Sequence, residues 1–488
     1  ILKNIKMPKV RFYTGIDIPL EFHRARIVQK VKLLPIDERL EALKKGGFNT
    51  YRMDSADVYM DMLTDSGTNA MSDLQLAAMM RADDAYAGSE SFKRLEKAVF
   101  DVLGKRYVVP AHQGRAAENV IMRAFLRPGD IIPMNYHFGS TVNHIKLNGG
   151  RPVDLVDPQV AFASASDNQF KGNIDIASLE ECIARYGAEH IPFIRMEAST
   201  NLIGGQPFSM ANMMEVRKVA DRYGIKVLLD ACLLGENAWL IIQREPEYAH
   251  ATLAEVLLKM CSLADIVYFS ARKLSCTRGA VIATDNYQDK LKMDQVVAVF
   301  EGYVTYGGMS MKEIEAMAQG LYEATDEDYI CQNPEFIRYF VNEAVKMGIP
   351  MVTPPGVLGA QIDAKKFCDH LSVSDLPASS LAAAIYLCSG VRTMDGGTYA
   401  DVSEDDPDFV ADMELVRMAF PRKVLTLSQT MYALDRLKWL YDNRELIGAI
   451  RCKDIPGMQR CFRTPMEPIG DWPERIIARF KEDFGDSL

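Results

Sequence analysis

The nine cysteines of this 488-residue sequence form no Cys-x-x-Cys pair and no zinc-like cluster, and their number is odd. That argues against a disulfide-stapled scaffold and predicts reduced thiols in a cytoplasmic protein. No apolar run reaches the roughly 18 residues that a membrane span requires. Positive charge is in deficit, with 56 Lys and Arg against 66 Asp and Glu and a net charge of −10. An acidic chain is repelled by polyanions, so neither nucleic acid nor an anionic membrane is expected as a partner. There is no Ser-hydrolase elbow, no His-Glu-x-x-His and no P-loop, and no metal site is predicted. Internal repeats and low-complexity linkers are also missing. The start, Ile1-Leu-Lys-Asn, is neither an initiator Met nor a signal peptide, which predicts that a few leading residues are absent.

What is present has the composition of a soluble globular protein, 48% hydrophobic and 25% charged. The length exceeds what one core usually supports, so two domains are expected. The 26 Met are scattered and read as core filler. Residues 1–20, polar and carrying Pro8 and Pro19, predict an N-terminal arm; 21–60 and 331–488 a smaller α+β domain; and 61–330 the large domain. A helical pattern runs from about 21 to 50 through Val28, Val31, Leu33, Leu40 and Leu43. Helices are then predicted at Ser91–Leu103, Ala116–Phe125, Ala211–Tyr223 and Lys312–Tyr322. Strands are predicted at Arg106–Pro110, Ile131–Pro133, Pro152–Val156 and Ile191–Glu197. This alternation predicts an α/β domain with a mainly parallel sheet covered by helices. Further helices are expected near Glu335–Met347 and Met431–Asn443, and Asp401–Asp408 reads as a solvated acidic turn.

The most informative segment is Ile266-Val-Tyr-Phe-Ser-Ala-Arg-Lys-Leu274, an apolar strand ending in a small-polar-basic cluster. A lysine beside Arg272 and partly desolvated has its charged form disfavoured, which leaves an amine able to form a Schiff base. Upstream, Lys226-Val-Leu-Leu-Asp-Ala231 delivers Asp230 to the end of another apolar strand. Such an Asp and Lys together suit pyridoxal phosphate: the carboxylate keeps the pyridine nitrogen protonated and the lysine carries the aldehyde. Val108-Val-Pro-Ala-His-Gln-Gly-Arg115 joins a strand to a helix, where Gly114, the free N–H groups, Gln113 and Arg115 suit a phosphate. Ser270 can add a hydroxyl to it. Many strand–helix turns carry Gly without a ligand, so this loop alone is weak. Tyr86 lies in a short polar loop, as a proton donor or an ordinary surface Tyr. Phe138 is a stacking aromatic or a core Phe. Arg417 interrupts an apolar strand, where a buried guanidinium needs either a substrate carboxylate or an acidic side chain.

Taken in order, these segments resemble the tyrosine phenol-lyase and tryptophanase family of pyridoxal phosphate β-eliminating lyases. The resemblance is carried by Asp61-Met-Leu-Thr-Asp-Ser-Gly-Thr-Asn-Ala-Met-Ser-Asp73, Ala85-Tyr-Ala-Gly-Ser-Glu90, His112-Gln-Gly-Arg115, Thr200-Asn-Leu-Ile-Gly-Gly-Gln-Pro-Phe-Ser-Met-Ala-Asn212 and Tyr306-Gly-Gly308. It runs from about residue 8 to about 465. It implies a type I aminotransferase-like fold and a homotetramer, with active sites built between subunits. Residue by residue, it implies Lys273 as the Schiff-base lysine and Asp230 as partner of the pyridine nitrogen. Gln113, Gly114, Arg115 and Ser270 fall on the phosphate ligands, Phe138 on the ring-stacking aromatic, and Asn201 near the cofactor's phenolic oxygen. Thr64, Ser66 and Arg417 fall on substrate-binding positions, Arg417 gripping the α-carboxylate. Tyr86 falls on a proton-donating tyrosine supplied by a neighbouring subunit.

The sequence also departs from the family. Asp230-Ala-Cys-Leu233 stands where the family has Asp-Ala-Thr-Arg, so the arginine on the cofactor's phenolic oxygen is replaced by Leu233. Gly396 replaces a phenol-lyase arginine, Gly139 its phenol-facing threonine, and Cys461 a pocket phenylalanine. At the monovalent-cation site Asp84 replaces a glutamate and Arg278 lies beside the other ligand segment, so a bound cation is in doubt. The expected function is a pyridoxal phosphate-dependent lyase cleaving a Cβ–X bond of an α-amino acid, with elimination or replacement open. Aminotransferase or decarboxylase chemistry on the same core, or a catalytically quiet homologue, are the alternatives.

Overall fold

The computed structural model describes residues 10, 12–401, 410–453 and 460–488. Much of the expected N-terminal arm (residues 1–9 and 11) and most of the expected acidic turn at 401–408 fall outside the described residues. The chain divides into two units. The first comprises the described residues up to Ile16 with Ser66–Ala161 and Asn168–Pro334; the second comprises Asp17–Asp65, Phe162–Asp167 and Glu335–Leu488.

The first unit is built on seven strands: β1 (Tyr107–Ala111), β2 (Ile131–Met134), β3 (Arg151–Asp154), β4 (Phe193–Glu197), β5 (Lys226–Asp230), β6 (Ile266–Ser270) and β7 (Ala280–Thr284). Their order across the sheet is β1-β7-β6-β5-β4-β2-β3. All neighbours pair in parallel except β7, which runs antiparallel to both β6 and β1. Strands β4, β6 and β7 are buried along their whole length. For β6 and β7 that is the reason the sequences read as near-continuous apolar runs: both faces of a mainly parallel sheet are covered. Strand β7 has no counterpart among the expected elements.

Four helices position the site: α1 (Glu90–Leu103), α2 (Gly114–Phe125), α3 (Leu234–Arg244) and α4 (Met311–Glu323). Helix α1 shows why these segments are helical. The Ser89 side chain accepts from Phe92 N at its start, Leu95, Ala98, Val99 and Val102 line one buried face, and Gly104 closes it with φ 68°. Helix α4 starts in a capping box made by Ser310 and Glu313.

The helical pattern expected from about 21 to 50 forms only over Ile36–Gly46, and no helix occurs over 21–35. Val28 and Val31 are 81% and 49% exposed. Pro35 precedes the first helical residue; its fixed ring suits a helix start, and it keeps the residue before it out of the helical region.

The second unit is α+β. Helix α5 (Pro377–Ser389) is buried at all thirteen positions. Packed on it are Ile36–Gly46, α6 (Leu427–Asp442) and α7 (Trp472–Phe484). A three-stranded antiparallel sheet of β8 (Gly359–Asp363), β9 (Met394–Gly396) and β10 (Leu415–Ala419) has β10 in the middle. Among the described residues no helix is long and apolar enough to cross a membrane.

Candidate active site

Register brings three strand ends together in the first unit. Glu197 pairs with Asp230, and Asp230 with Tyr268. The carboxyl ends of parallel strands are where open α/β sheets bind ligands. Strand β6 stops at Ser270, and the chain turns so that Lys273 N and Leu274 N both reach the Ser270 carbonyl, at 3.0 and 3.1 Å. Lys273 therefore sits on the turn, three residues past the strand. The turn is held by Ala271 N to Gly279 O and Thr277 N to Ala271 O, each 2.9 Å. From below, Gln75 Nε2 donates to the Ser275 carbonyl at 2.6 Å and to Ala316 O in α4 at 3.0 Å. A Cβ on Gly320 of α4 would collide with that Ser275 carbonyl, so the helix lies directly under the lysine turn.

Lys273 Nζ stands 5.9 Å from the centroid of the Phe138 ring. Phe138 is the extended residue just before the helix Gly139–Leu147. Asp230 is 5% exposed, and its carboxylate is held on both oxygens. Oδ1 accepts from Cys232 N at 3.1 Å, and Oδ2 lies 2.6 Å from Arg195 Nη2 and 2.7 Å from the Tyr268 hydroxyl. The Cys232 sulfur in turn accepts from Ser270 N at 3.2 Å, tying the ends of β5 and β6. Burial, then the Asp230 charge, push the Cys232 thiol well up, so it stays protonated. Leu233 is buried at the start of α3.

Helix α2 begins at Gly114 right after β1, with Gln113 extended before it. A Cβ on Gly114 would lie 2.8 Å from the Ser270 Cβ. The helix start and the end of β6 thus approach as closely as a bare backbone allows, and first-turn N–H groups are available there to an anion. Gln113 is half-buried and Arg115 exposed beside them. Asn201 is buried, its N–H donating to Glu197 Oε1 at 3.2 Å. An amine, a carboxylate at an adjacent strand end, an aromatic ring near the amine and a side-chain-free phosphate cradle fit pyridoxal phosphate. Gly114→Ala should then weaken cofactor binding about 10- to 100-fold, because a methyl there costs about 1–3 kcal/mol in overpacking. Titrating apoprotein with pyridoxal phosphate by fluorescence measures it, and unchanged affinity would disprove the cradle.

The other expected site residues divide between the units. Ser66 and Tyr86 belong to the first; Thr64 and Arg417 belong to the second. Tyr86 is 65% exposed, stacked on Tyr303 at 4.8 Å and edge-on to Tyr306 at 5.5 Å. A hydrogen bond with Tyr306 holds its phenol above the ordinary value. Arg417 lies on central strand β10, paired with Gln361 and Met394, and its Nη2 donates to Leu63 O at 2.9 Å. Burial pushes its guanidinium down, with Tyr51 and Asp65 offsetting part of this.

Residues that sequence reading missed surround Asp230. Arg195, Glu197, Tyr268 and Glu118 are all buried. Arg195 and Glu197 were visible as two charges at period-two spacing inside an apolar strand, a pattern that turns both to one covered face. Asn237 of α3 was missed too. Its Oδ1 takes the N–H of Ser199 at 3.0 Å and of Phe208 at 3.2 Å, pinning the loop that carries Asn201.

The beta-eliminating lyase model matches residues 61–435. The tyrosine phenol-lyase of Symbiobacterium thermophilum is 40% identical over 453 residues, 92% of this chain and 98% of that protein. The chain belongs to the beta-eliminating lyase family. Another relative in the family, the tyrosine phenol-lyase of Pasteurella multocida, is 38% identical over 93% of this chain and 99% of its own. Among solved structures, a serine palmitoyltransferase of Sphingomonas wittichii superposes with a TM-score of 0.57 at 14% identity, covering 84% of this chain and 97% of that one. That likeness confirms the type I aminotransferase-like fold. As a beta-eliminating lyase, the protein is a pyridoxal phosphate-dependent enzyme of the tyrosine phenol-lyase and tryptophanase family.

Proposed function

We propose that this lyase cleaves a Cβ–X bond of a β-substituted α-amino acid through a pocket altered from both the phenol and the indole type. The observation that carries this is open space. A Cβ on Gly139 would meet nothing within 4 Å, and one on Gly396 only the Leu415 carbonyl at 3.7 Å. These are two positions where the family resemblance implies a threonine and an arginine. Cys461, at the position of a pocket phenylalanine, is buried with its carbonyl accepting from Asn49 Nδ2 at 2.7 Å.

Pyridoxal phosphate would be held by Lys273, the Gly114–Ser270 cradle with Gln113 and Arg115, the Phe138 ring, Asn201 and Asp230, and it supplies an electron sink conjugated to the substrate nitrogen. Asp230 holds a proton on the pyridine nitrogen. Arg417 takes the substrate carboxylate in its planar fork, with Thr64 and Ser66 as further substrate-binding positions. Lys273 would remove the α-proton of the bound substrate with its Nζ. Tyr86 delivers a proton to the departing group, and the remainder hydrolyses to pyruvate and ammonia. The exposed stack of Tyr86 on Tyr303 supports offering that tyrosine to a neighbouring subunit of a homotetramer. Free thiols and an acidic surface suit a cytoplasmic setting.

The test is a panel of amino acids, including cysteine conjugates, assayed for pyruvate, keto acid and amine. Pyruvate with a released leaving group supports β-elimination. Keto acid or amine products would mean aminotransfer or decarboxylation on the same core, and no product from any substrate a catalytically quiet homologue.

Activity should be nearly the same in sodium, potassium and a bulky organic cation. Asp84 is one methylene shorter than the family glutamate, and Arg278 brings a fixed positive charge to the neighbouring segment. A guanidinium and a bound potassium ion at close range repel by about 1–4 kcal/mol, depending on the local dielectric. Strong activation by potassium would show that Arg278 points away from the ion.

A further inference from the structure

Asp230 is not alone at the end of its strand. Arg195, fully buried, donates through Nη2 to Asp230 Oδ2 at 2.6 Å and through Nη1 to Glu197 Oε2 at 3.2 Å. It also lies 3.3 Å from the Tyr268 hydroxyl, which has one proton to give and stands 2.7 Å from Asp230 Oδ2 and 3.3 Å from Glu118 Oε1. Glu118 is itself held by the Ser140 hydroxyl at 2.6 Å and by Thr141. Strand pairing puts Glu197, Asp230 and Tyr268 side by side, and Arg195, two residues before Glu197, faces the same way.

Buried charges must be paired. If Asp230 were the sole partner of Arg195, its carboxylate would already be neutralised before a protonated pyridine arrived. The second carboxylate changes that count. Asp230 and Glu197 together balance two cations, the guanidinium and a pyridinium, while the third buried carboxylate, Glu118, is held by the hydroxyls of Ser140, Thr141 and Tyr268. We propose that Arg195 and Glu197 are positioning residues for the cofactor: Glu197 acts as counter-ion to Arg195, and so leaves the Asp230 charge available to the ring nitrogen. This rests on the assignment of Asp230 to that nitrogen.

Electrostatics favour the charge on Arg195 more than that on Glu197. Burial works against the charge on Arg195, but Tyr268, Glu197, Asp230 and Glu118 outweigh it and hold the guanidinium well above its ordinary value. Burial, with Asp230 adding to it, pushes the Glu197 carboxyl up to about 7, and Arg195 opposes them, so the guanidinium is what keeps Glu197 ionisable near neutral pH. The groups facing this pair are Asp230 and Cys232 at the end of β5, Tyr268 on β6, Lys273 on the turn after it, and Glu118 from α2.

The test is a pH titration of the visible absorption of the bound cofactor in the holoenzyme, which reports the protonation of the nitrogen joined to Lys273. Glu197→Gln, nearly isosteric, removes a negative charge and should lower the midpoint by about one pH unit. Arg195→Gln removes a positive charge and should raise it by a similar amount, and the double variant should return it close to wild type. A residue of merely structural importance would not shift the midpoint in opposite directions on opposite charge changes. If Arg195→Gln does not fold, Glu197→Gln alone decides: an unmoved or raised midpoint overturns the proposal. A second readout needs no cofactor. A carboxyl whose folded pKa is raised stabilises the fold fully below its unfolded value near 4.3, and that stability is lost as pH rises toward 7. The guanidinium is what pulls the Glu197 carboxyl back down, so Arg195→Gln apoprotein should lose more stability between about pH 6 and 9 than wild type, and parallel losses would overturn the pairing. A wild-type protein with no visible band at all would overturn the cofactor assignment, and this proposal with it.

Discussion

Lys273→Ala is expected to lose turnover by several orders of magnitude while still retaining pyridoxal phosphate through the Gly114–Ser270 cradle. In the proposed mechanism the amine does two things, anchoring the cofactor and moving the α-proton, and its Nζ lies 5.9 Å from the Phe138 ring centroid. The companion result in the wild type is a yellow protein in which borohydride fixes the cofactor irreversibly to one peptide. Mass mapping should place it on Lys273. Cofactor on any other lysine, or a Lys273→Ala variant that turns over normally, would end the assignment.

Turnover of L-tyrosine should be weak or undetectable, although the Symbiobacterium thermophilum and Pasteurella multocida relatives are tyrosine phenol-lyases. Recognising a phenol requires polar groups that position and deprotonate its hydroxyl. In the proposed reading, Gly139 and Gly396 stand where the family resemblance implies a threonine and an arginine, and Cys461 where it implies a phenylalanine, so these three positions would supply none. Losing a paired buried polar contact costs about 1–3 kcal/mol, and each 1.36 kcal/mol is tenfold in rate. Two or three such losses reach several orders of magnitude. Phenol release measured side by side with the Symbiobacterium thermophilum enzyme gives the comparison, and equal rates would refute the altered pocket. Indole release from tryptophan belongs in the same assay.

The sequence was most legible where local patterning and burial agree. The helices at Glu90–Leu103 and Met210–Tyr223 carry side-chain caps at the start and a left-handed glycine at the end, and their bounds lie within a residue of those expected. Strands β5 and β6 stand out as apolar runs because both sheet faces are covered. The failures have physical causes as well. Val28 and Val31 mimic one face of a helix, but periodicity says nothing of whether a face is ever covered, and here both are exposed. Arg195 and Glu197 escaped because a charge inside an apolar strand acquires meaning only when its neighbours across the sheet are known. The register of Glu197 on Asp230 and Asp230 on Tyr268 is long-range information that no local pattern contains.

The bracing of the lysine turn by Gln75 and Gly320 has a kinetic consequence. With the Ser275 carbonyl gripped by the Gln75 amide and the backbone of α4 pressed against it, the Lys273 backbone is a stationary pivot, and the four-carbon side chain is the moving part. Side-chain rotations run on picosecond to nanosecond scales, whereas typical enzymes turn over at about 1–1,000 per second. If Lys273 anchors the cofactor and moves the α-proton as proposed, rotation of its side chain between the two would be many thousands of times faster than a catalytic cycle needs.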